Sequence, residues 1–321
     1  MEERIEITAT REDSGMRMDL FLARHASITR SAASRLISEG LVDVEGSYPK
    51  PSLKVRAGMV IHVVMKKPQV SYLPVPQDIP LNILYEDAHI IVIDKPAGLV
   101  VHQGAGRTDH TLVNALIAHY PEIAGVGSKE RPGIVHRLDK LTSGVMMVAK
   151  TADAYHTLSL AFKLHTHERI YRAICYGHMP QAKGCIRTLL NRHPKDRKRM
   201  SSKVTHGREA VTYWDEVKKW DGFSLLSLSL ATGRTHQIRV HLADMGNPVV
   251  ADPKYGGRKR VNNVKDPVIG SYIKGLNRQM LHAYKLGIKH PISGEWMEFV
   301  SNLPDDMKAL IDLLDQKESG S

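Results

Sequence analysis

The spacing of apolar positions separates a short N-terminal module from a longer remainder. From about Gly15 to Val64 the pattern is that of a small αβ unit. Met18, Phe21 and Leu22 fall at helical spacing, as do Ala33, Leu36 and Ile37. Thr29 or Ser31 is placed to cap the second helix and Gly40 to end it. Val42 and Val44 then alternate as a short strand, Gly46 turns the chain, and Val60 to Val64 closes the module as another strand. Pro68, Pro74, Pro76 and Pro80 mark a linker of restricted backbone freedom. The expected division is therefore residues 1–70 (core about 15–64), a linker at 71–80, a large domain at 81–315, and a polar, frayed tail at 316–321.

The large domain carries many strand-like segments: Ile90 to Ile93, Leu99 to His102, Val145 to Lys150, Ile170 to Tyr176, Val211 to Trp214 and Phe223 to Leu230. Helical stretches are fewer, near Thr111 to His119, Asp153 to Leu164, Thr235 to Met245 and Asp305 to Leu314. Strands outnumber helices and do not alternate regularly with them. That predicts an α+β fold with a mixed, largely antiparallel sheet. No internal repeat is visible.

At 321 residues the chain is long enough for two domains, and 42% hydrophobic with 25% charged residues reads as a globular protein. No apolar run reaches membrane-spanning length, and Met1-Glu2-Glu3-Arg4 opens without the apolar core of a secretory signal. With only Cys175 and Cys185, ten apart, a reduced cytoplasmic chain without a structural zinc site is the simplest expectation. A monomer is the default. The net charge of +11 favours a polyanionic partner, because cations set on phosphates release condensed counterions. The charge is clustered: Arg192, His193, Lys195, Arg197, Lys198, Arg199 and Lys203 in one stretch, Arg258, Lys259, Arg260 and Lys265 in another.

Candidate chemistry concentrates in Gly133-Ile134-Val135-His136-Arg137-Leu138-Asp139-Lys140-Leu141-Thr142-Ser143-Gly144. This polar, turn-forming segment fixes one carboxylate, Asp139, at the mouth of a buried strand. With Arg137 two residues away it is expected to stay ionised and oriented, ready to attack or stabilise a reacting centre. His136 reads equally as a satisfied turn histidine. In the helix expected over Thr235 to Met245, Ile238, Leu242 and Met245 share a core-facing side, while His236 and Arg239 share another, which gives Arg239 a route into a cleft. Other chemistries lack their signatures. Gly104-Ala105-Gly106-Arg107-Thr108 has neither the length nor the lysine of a phosphate-binding loop. No Cys-x-x-Cys follows His165-Thr166-His167-Glu168, as a zinc deaminase would need.

His-Arg-Leu-Asp, two residues, then Thr-Ser-Gly resembles the active-site signature of the RluA family of pseudouridine synthases. Gly233-Arg234-Thr235-His236-Gln237-Ile238-Arg239-Val240-His241, Arg169-Ile170-Tyr171-Arg172-Ala173, and Leu281-His282-Ala283 with His290-Pro291 resemble further motifs of that family. The resemblance implies a long bent sheet with a cleft across its middle and conversion of uridine to pseudouridine in RNA. The product is an isomer, so neither cofactor nor metal is implied. By resemblance Asp139 is the catalytic carboxylate, Arg239 its salt-bridge partner, Tyr171 the ring that stacks on the target uracil, Leu281 an apolar wall opposite, and Arg137 the residue that helps expel the base from its stack. Arg234, His236, Arg192 and Arg197 are further candidates to contact RNA. The N-terminal module resembles the S4 RNA-binding domain, with Arg30 and Arg35 on its exposed side. Likeness to family members that act on large-subunit ribosomal RNA points to a stem-loop there, within pre-ribosomal particles; other members act on other ribosomal sites or on tRNA. Two further readings stand beside this one: a non-catalytic RNA-binding assembly factor, and a glycosidic-bond hydrolase, for which Glu168 would have to supply a second carboxylate.

Overall fold

The computed structural model describes residues 2–66, 73–102 and 109–319. The chain divides into two compact units, residues 1–72 and 73–321. Of the expected linker, Pro68 lies outside the described residues, as does the glycine-rich segment 104–108.

The smaller unit contains β1 (Glu2–Thr8), α1 (Met18–His25), α2 (Arg30–Ser38), β2 (Val42–Val44) and β3 (Val60–Lys66). Its antiparallel sheet has the order β1-β3-β2. Phe21, Leu22, Ala33, Ile37, Val42 and Ile61 are buried together. Thr29, not Ser31, caps α2, its hydroxyl accepting the Ala32 amide at 3.2 Å. Gly40 ends that helix with φ +70°. Arg30 is exposed on α2 but tied down, its Nε donating to Asp19 at 3.0 Å, whereas Arg35 is exposed and has no such tie among the described residues. The first strand was not expected, because Ile5 and Ile7 are interleaved with charges; it is an edge strand whose isoleucine side is half-buried against the core of the unit.

The larger unit runs β4 (Ile83–Glu86), β5 (Ile90–Lys95), α3 (Leu112–His119), a short ribbon of β6 (Gly127–Ser128) and β7 (Arg131–Pro132), β8 (Ser143–Ala149), α4 (Ala152–Leu164), β9 (Glu168–Tyr176), β10 (Lys183–Arg192), β11 (Met200–Ser201), β12 (Arg208–Trp220), β13 (Phe223–Leu230), α5 (Gln237–Asp244), α6 (Gly257–Arg260), α7 (Pro267–Gly275), β14 (Leu281–Lys289), β15 (Trp296–Val300) and α8 (Asp305–Ser319). One long sheet has the order β11-β10-β12-β13-β9-β14-β8-β5-β4, with β15 beside the later part of β14. Its pairings are antiparallel except β14 with β8. β8 is buried from end to end, as a central strand covered on both faces should be. At its start Gly144 has φ +114°, and a Cβ there would collide with the Ala283 backbone, so only glycine lets β14 approach.

Three expectations need correction. Leu99 to His102 is not a strand: the turn at Gly98 (φ +94°) leaves only an isolated bridge from Val100 to Thr111. The tail does not fray from residue 316; α8 is helical through Ser319, anchored by buried Met307, Leu310 and Leu314. Met245 does not share the buried side of α5, because the helix ends before it and leaves it 38% exposed.

Candidate active site

Asp139 sits in the loop entering β8, and the loop is held from several sides. The Thr142 amide donates to the Asp139 carbonyl at 3.1 Å. Gln279 donates to the Thr142 hydroxyl at 3.1 Å. The His282 Nε2–H donates to the Ser301 carbonyl at 3.1 Å, which leaves Nδ1 to accept from the Ser143 hydroxyl at 2.9 Å. Lys95, fully buried at the end of β5, directs its ammonium at the carbonyls of Pro96, Leu99 and Lys140. Burial pushes its pKa down to about 7, against the attraction of Asp139.

The arginine that meets Asp139 is Arg239, not its sequence neighbour Arg137. Arg239 Nη1 donates to Asp139 Oδ2 at 2.8 Å. Its other two nitrogens are taken by Asp252, Nε at 2.7 Å and Nη2 at 2.9 Å. Burial opposes the Arg239 charge, but the two carboxylates outweigh it and its pKa rises. Asp252 is itself fixed, its Oδ1 accepting the amides of Lys254 at 2.8 Å and Tyr255 at 3.0 Å. Arg137 is exposed and pairs with His102 at 3.0 Å.

His236 stands just ahead of α5 in the left-handed region, φ 56°. Gln237 locks this turn by accepting from the Thr232 hydroxyl and the Arg234 amide and donating to the Val211 carbonyl. Burial pushes the pKa of His236 down to about 4, so its ring is neutral near pH 7. The Tyr255 hydroxyl oxygen accepts the Met200 amide at 2.9 Å; its proton is then free for His236 Nδ1 at 2.7 Å. That assigns the His236 proton to Nε2, 3.8 Å from Asp139 Oδ2. The Arg239 guanidinium lies 5.1 Å from the centre of the Tyr255 ring.

Tyr171 and Leu281 form part of the floor. Tyr171 opposes Leu228 on β13 and Ala283 on β14, and Leu281 opposes Ala173. Side chains directly opposite on paired strands share a face, so Leu281 lies beside Tyr171 instead of across the cleft from it. Burial pushes the Tyr171 pKa up. Asp139, Arg239, His236, Arg234, Arg137, Tyr171 and Leu281 line one cleft with about 590 Å³ of open space. A larger basic groove shares Arg137, Arg234 and His236 with it and adds Arg192, Arg197, Arg208 and Lys254. Arg30 and Arg35 belong to the other unit. Arg260 and Lys265, from the second basic cluster, line a separate cavity with Tyr176 and Trp220. Asp252 and Tyr255 were not anticipated; their only local signal is the turn-forming sequence Ala251-Asp252-Pro253-Lys254-Tyr255-Gly256-Gly257.

A family model described as RNA pseudouridylate synthase matches residues 89–244, the stretch that carries Asp139, Tyr171 and Arg239. Over 327 aligned residues the chain is 41% identical to the ribosomal large subunit pseudouridine synthase D of Vibrio vulnificus, covering 100% of this chain and 98% of that protein. The chain belongs to the RluA family of RNA pseudouridine synthases. It is also 41% identical, over 94% of its length and 90% of the relative, to an uncharacterized RNA pseudouridine synthase of Synechocystis sp.. Human RNA pseudouridylate synthase domain containing 1 shares the fold, with a TM-score of 0.55 at 23% identity over 80% of this chain and 98% of that one.

An RNA pseudouridine synthase acts on RNA, and the basic groove has the charge that suits a polyanion. Of the other two readings, the hydrolase fails on geometry: Glu168 is three residues from Tyr171, leaves β9 on the opposite face, and pairs with Lys285 at 3.0 Å. Family membership makes the chain an enzyme, which removes the purely non-catalytic reading.

Proposed function

We propose that this synthase isomerises uridines in a stem-loop of large-subunit ribosomal RNA, with Asp139 as the catalytic carboxylate acting on a uridine flipped into the cleft. The observation that carries this reading is the 2.8 Å pair between Asp139 and Arg239 in a cleft floored by Tyr171. In the reaction the bond from ribose C1′ to uracil N1 breaks, the base turns, and C5 joins the same sugar carbon. Arg239, restrained by Asp252, orients the Asp139 carboxylate toward the sugar and base. Asp139 acts as a nucleophile on the sugar carbon, as a base toward the sugar, or by attack on the uracil ring; the three share this geometry. Tyr171 stacks under the base and Leu281 extends the apolar floor. Arg137, exposed at the mouth, helps displace the base from its stack, which costs about a few kcal/mol.

Phosphate contacts from Arg192, Arg197 and Arg234 in the groove, and from Arg30 and Arg35 of an S4-like N-terminal unit, offset that cost. Loop bases suit the design because they are already partly unstacked. The large-subunit substrate follows the names of relatives such as the Vibrio vulnificus enzyme. Such an enzyme works in the cytoplasm, on pre-ribosomal particles during ribosome biogenesis, as a monomer. The test is pseudouridine mapping on large-subunit rRNA from cells lacking the gene, rescued with wild type or Asp139→Ala. The wild type should restore specific pseudouridines and the variant none. Full restoration by Asp139→Ala would remove Asp139 from its role, and modification of tRNA alone would remove the ribosomal substrate.

A further inference from the structure

Arg169 is a half-buried cation that has no counter-ion among the described residues. It stands on β9 two residues before Tyr171, so both side chains leave the strand on the same face, and both line the cleft. Among the described residues its guanidinium makes no hydrogen bond or ion pair, and its Nε is shut away from solvent. By contrast Arg239 holds Asp139 and Asp252, and Arg278 holds Asp306 through two bonds of 2.5 and 2.6 Å.

Among the described residues no carboxylate pairs with Arg169, and its one compensating contact is with an aromatic ring. The Phe162 ring centre lies 5.9 Å away. His136, His165 and His167 have their pKa values pushed down, first by burial and then by the Arg169 charge, which favours their neutral form, and a neutral imidazole supplies no counter-charge. Glu168 points to the other face. Across the cleft, Nη1 lies 2.7 Å from where a Cβ on Gly233 would be, so the missing side chain there is what admits the guanidinium. Leaving a partly buried guanidinium unpaired is costly unless a ligand completes it.

We propose that Arg169 is an RNA-binding residue whose guanidinium receives a phosphodiester group of the flipped nucleotide. The uracil of a bound uridine is neutral before reaction; the anion that enters with it is its phosphate. A guanidinium fork matches two phosphate oxygens. The cleft opens, past Gly233 and Arg234, into the basic groove that suits the rest of the backbone. The proposal rests on the assignment as an RNA pseudouridine synthase and not on the role given to Asp139.

The test uses the full-length enzyme and an rRNA stem-loop that the wild type modifies, with affinity measured against salt concentration. Arg169→Met should bind about tenfold more weakly. Its plot of log affinity against log salt should be shallower by about 0.7 to 0.9, the signature of one lost phosphate contact. Arg169→Lys should recover the slope. Without RNA, Arg169→Met should melt no lower than wild type, because an unpaired, partly buried charge has been removed. Methylphosphonates flanking the target uridine should weaken the wild type and leave Arg169→Met unaffected. An unchanged slope, additive losses in the methylphosphonate experiment, or a lower melting temperature without RNA would overturn the proposal. Failure of the wild type to bind or modify any RNA would instead overturn the assignment beneath it.

Discussion

Asp252 grips Arg239 through two hydrogen bonds, 2.7 Å to Nε and 2.9 Å to Nη2, and thereby leaves Nη1 as the nitrogen that faces Asp139. Arginine offers a rigid fork, so fixing two of its nitrogens fixes the third. Asp252 is buried and does not line the cleft, so it is a positioning residue.

Asp252→Ala should therefore impair turnover through Arg239. Removing one partner of a buried pair typically costs about 3–5 kcal/mol, and this one leaves Arg239 with a single carboxylate. A lower melting temperature is expected, with kcat reduced more than KM is raised. Asp252→Glu should recover part of the turnover. Steady-state kinetics beside calorimetry checks this; unchanged kcat in a folded Asp252→Ala enzyme would refute it.

Lys95 ties the end of β5 to the loop of Asp139 through the Lys140 carbonyl. Lys95→Met keeps much of the volume and removes the lysine donor from the Pro96 and Leu99 carbonyls, while the Lys140 carbonyl keeps the Gly98 amide at 2.8 Å. Each acceptor left unsatisfied costs about 1–3 kcal/mol. Chemical denaturation should show a loss of about 2 kcal/mol or more, and Lys95→Met should stay well below wild type even at high pH.

Gly233→Ala would set a Cβ against Arg169 Nη1, the far end of a flexible side chain. The fold should absorb it with a stability change of roughly 1 kcal/mol or less. RNA binding should weaken as Arg169 is displaced. Filter binding and melting curves measured together check the split; a large loss of stability with unaltered RNA affinity contradicts it.

Acid should destabilise the larger unit as pH falls through the histidine range. His167, His236 and His241 all have pKa values pushed down to about 4 by burial, from 6.5. Between those values the unfolded chain binds protons that the folded one refuses, so stability is full above about 6.5 and falls as pH drops toward 4. Asp13 and Asp19 act later and in the smaller unit: partners hold them near 2, so the stability they contribute is lost only as pH falls below 3.8 toward 2. Calorimetric melting of the larger unit from pH 7 to 4.5 should show a steady decline; a flat profile would rule it out.

Much of the fold was readable because its signals are local. The helical spacing of Met18, Phe21 and Leu22 and the unbroken apolar run of β8 each need only their own neighbours to declare them. β10 and β14 were not read as strands. β10 alternates as an exposed strand whose polar side masks it, and β14 holds His282, Tyr284 and Lys285 among its apolar residues.

The sequence by itself determined the carboxylate, the motif arginines, the strong strands and helices, and the basic character of the surface. Only the tertiary structure decided which arginine meets Asp139. Arg137 is two residues away and turns to His102, while Arg239, 100 positions distant, arrives at 2.8 Å. It likewise decided that Asp252 stands behind that arginine and that Arg169 has no counter-ion among the described residues. The physical reason is that periodicity fixes which way a side chain leaves its own element. Which distant side chains then converge depends on sheet order, on the close parallel approach of β14 to β8 at Gly144, and on burial. Those are properties of the packed chain as a whole.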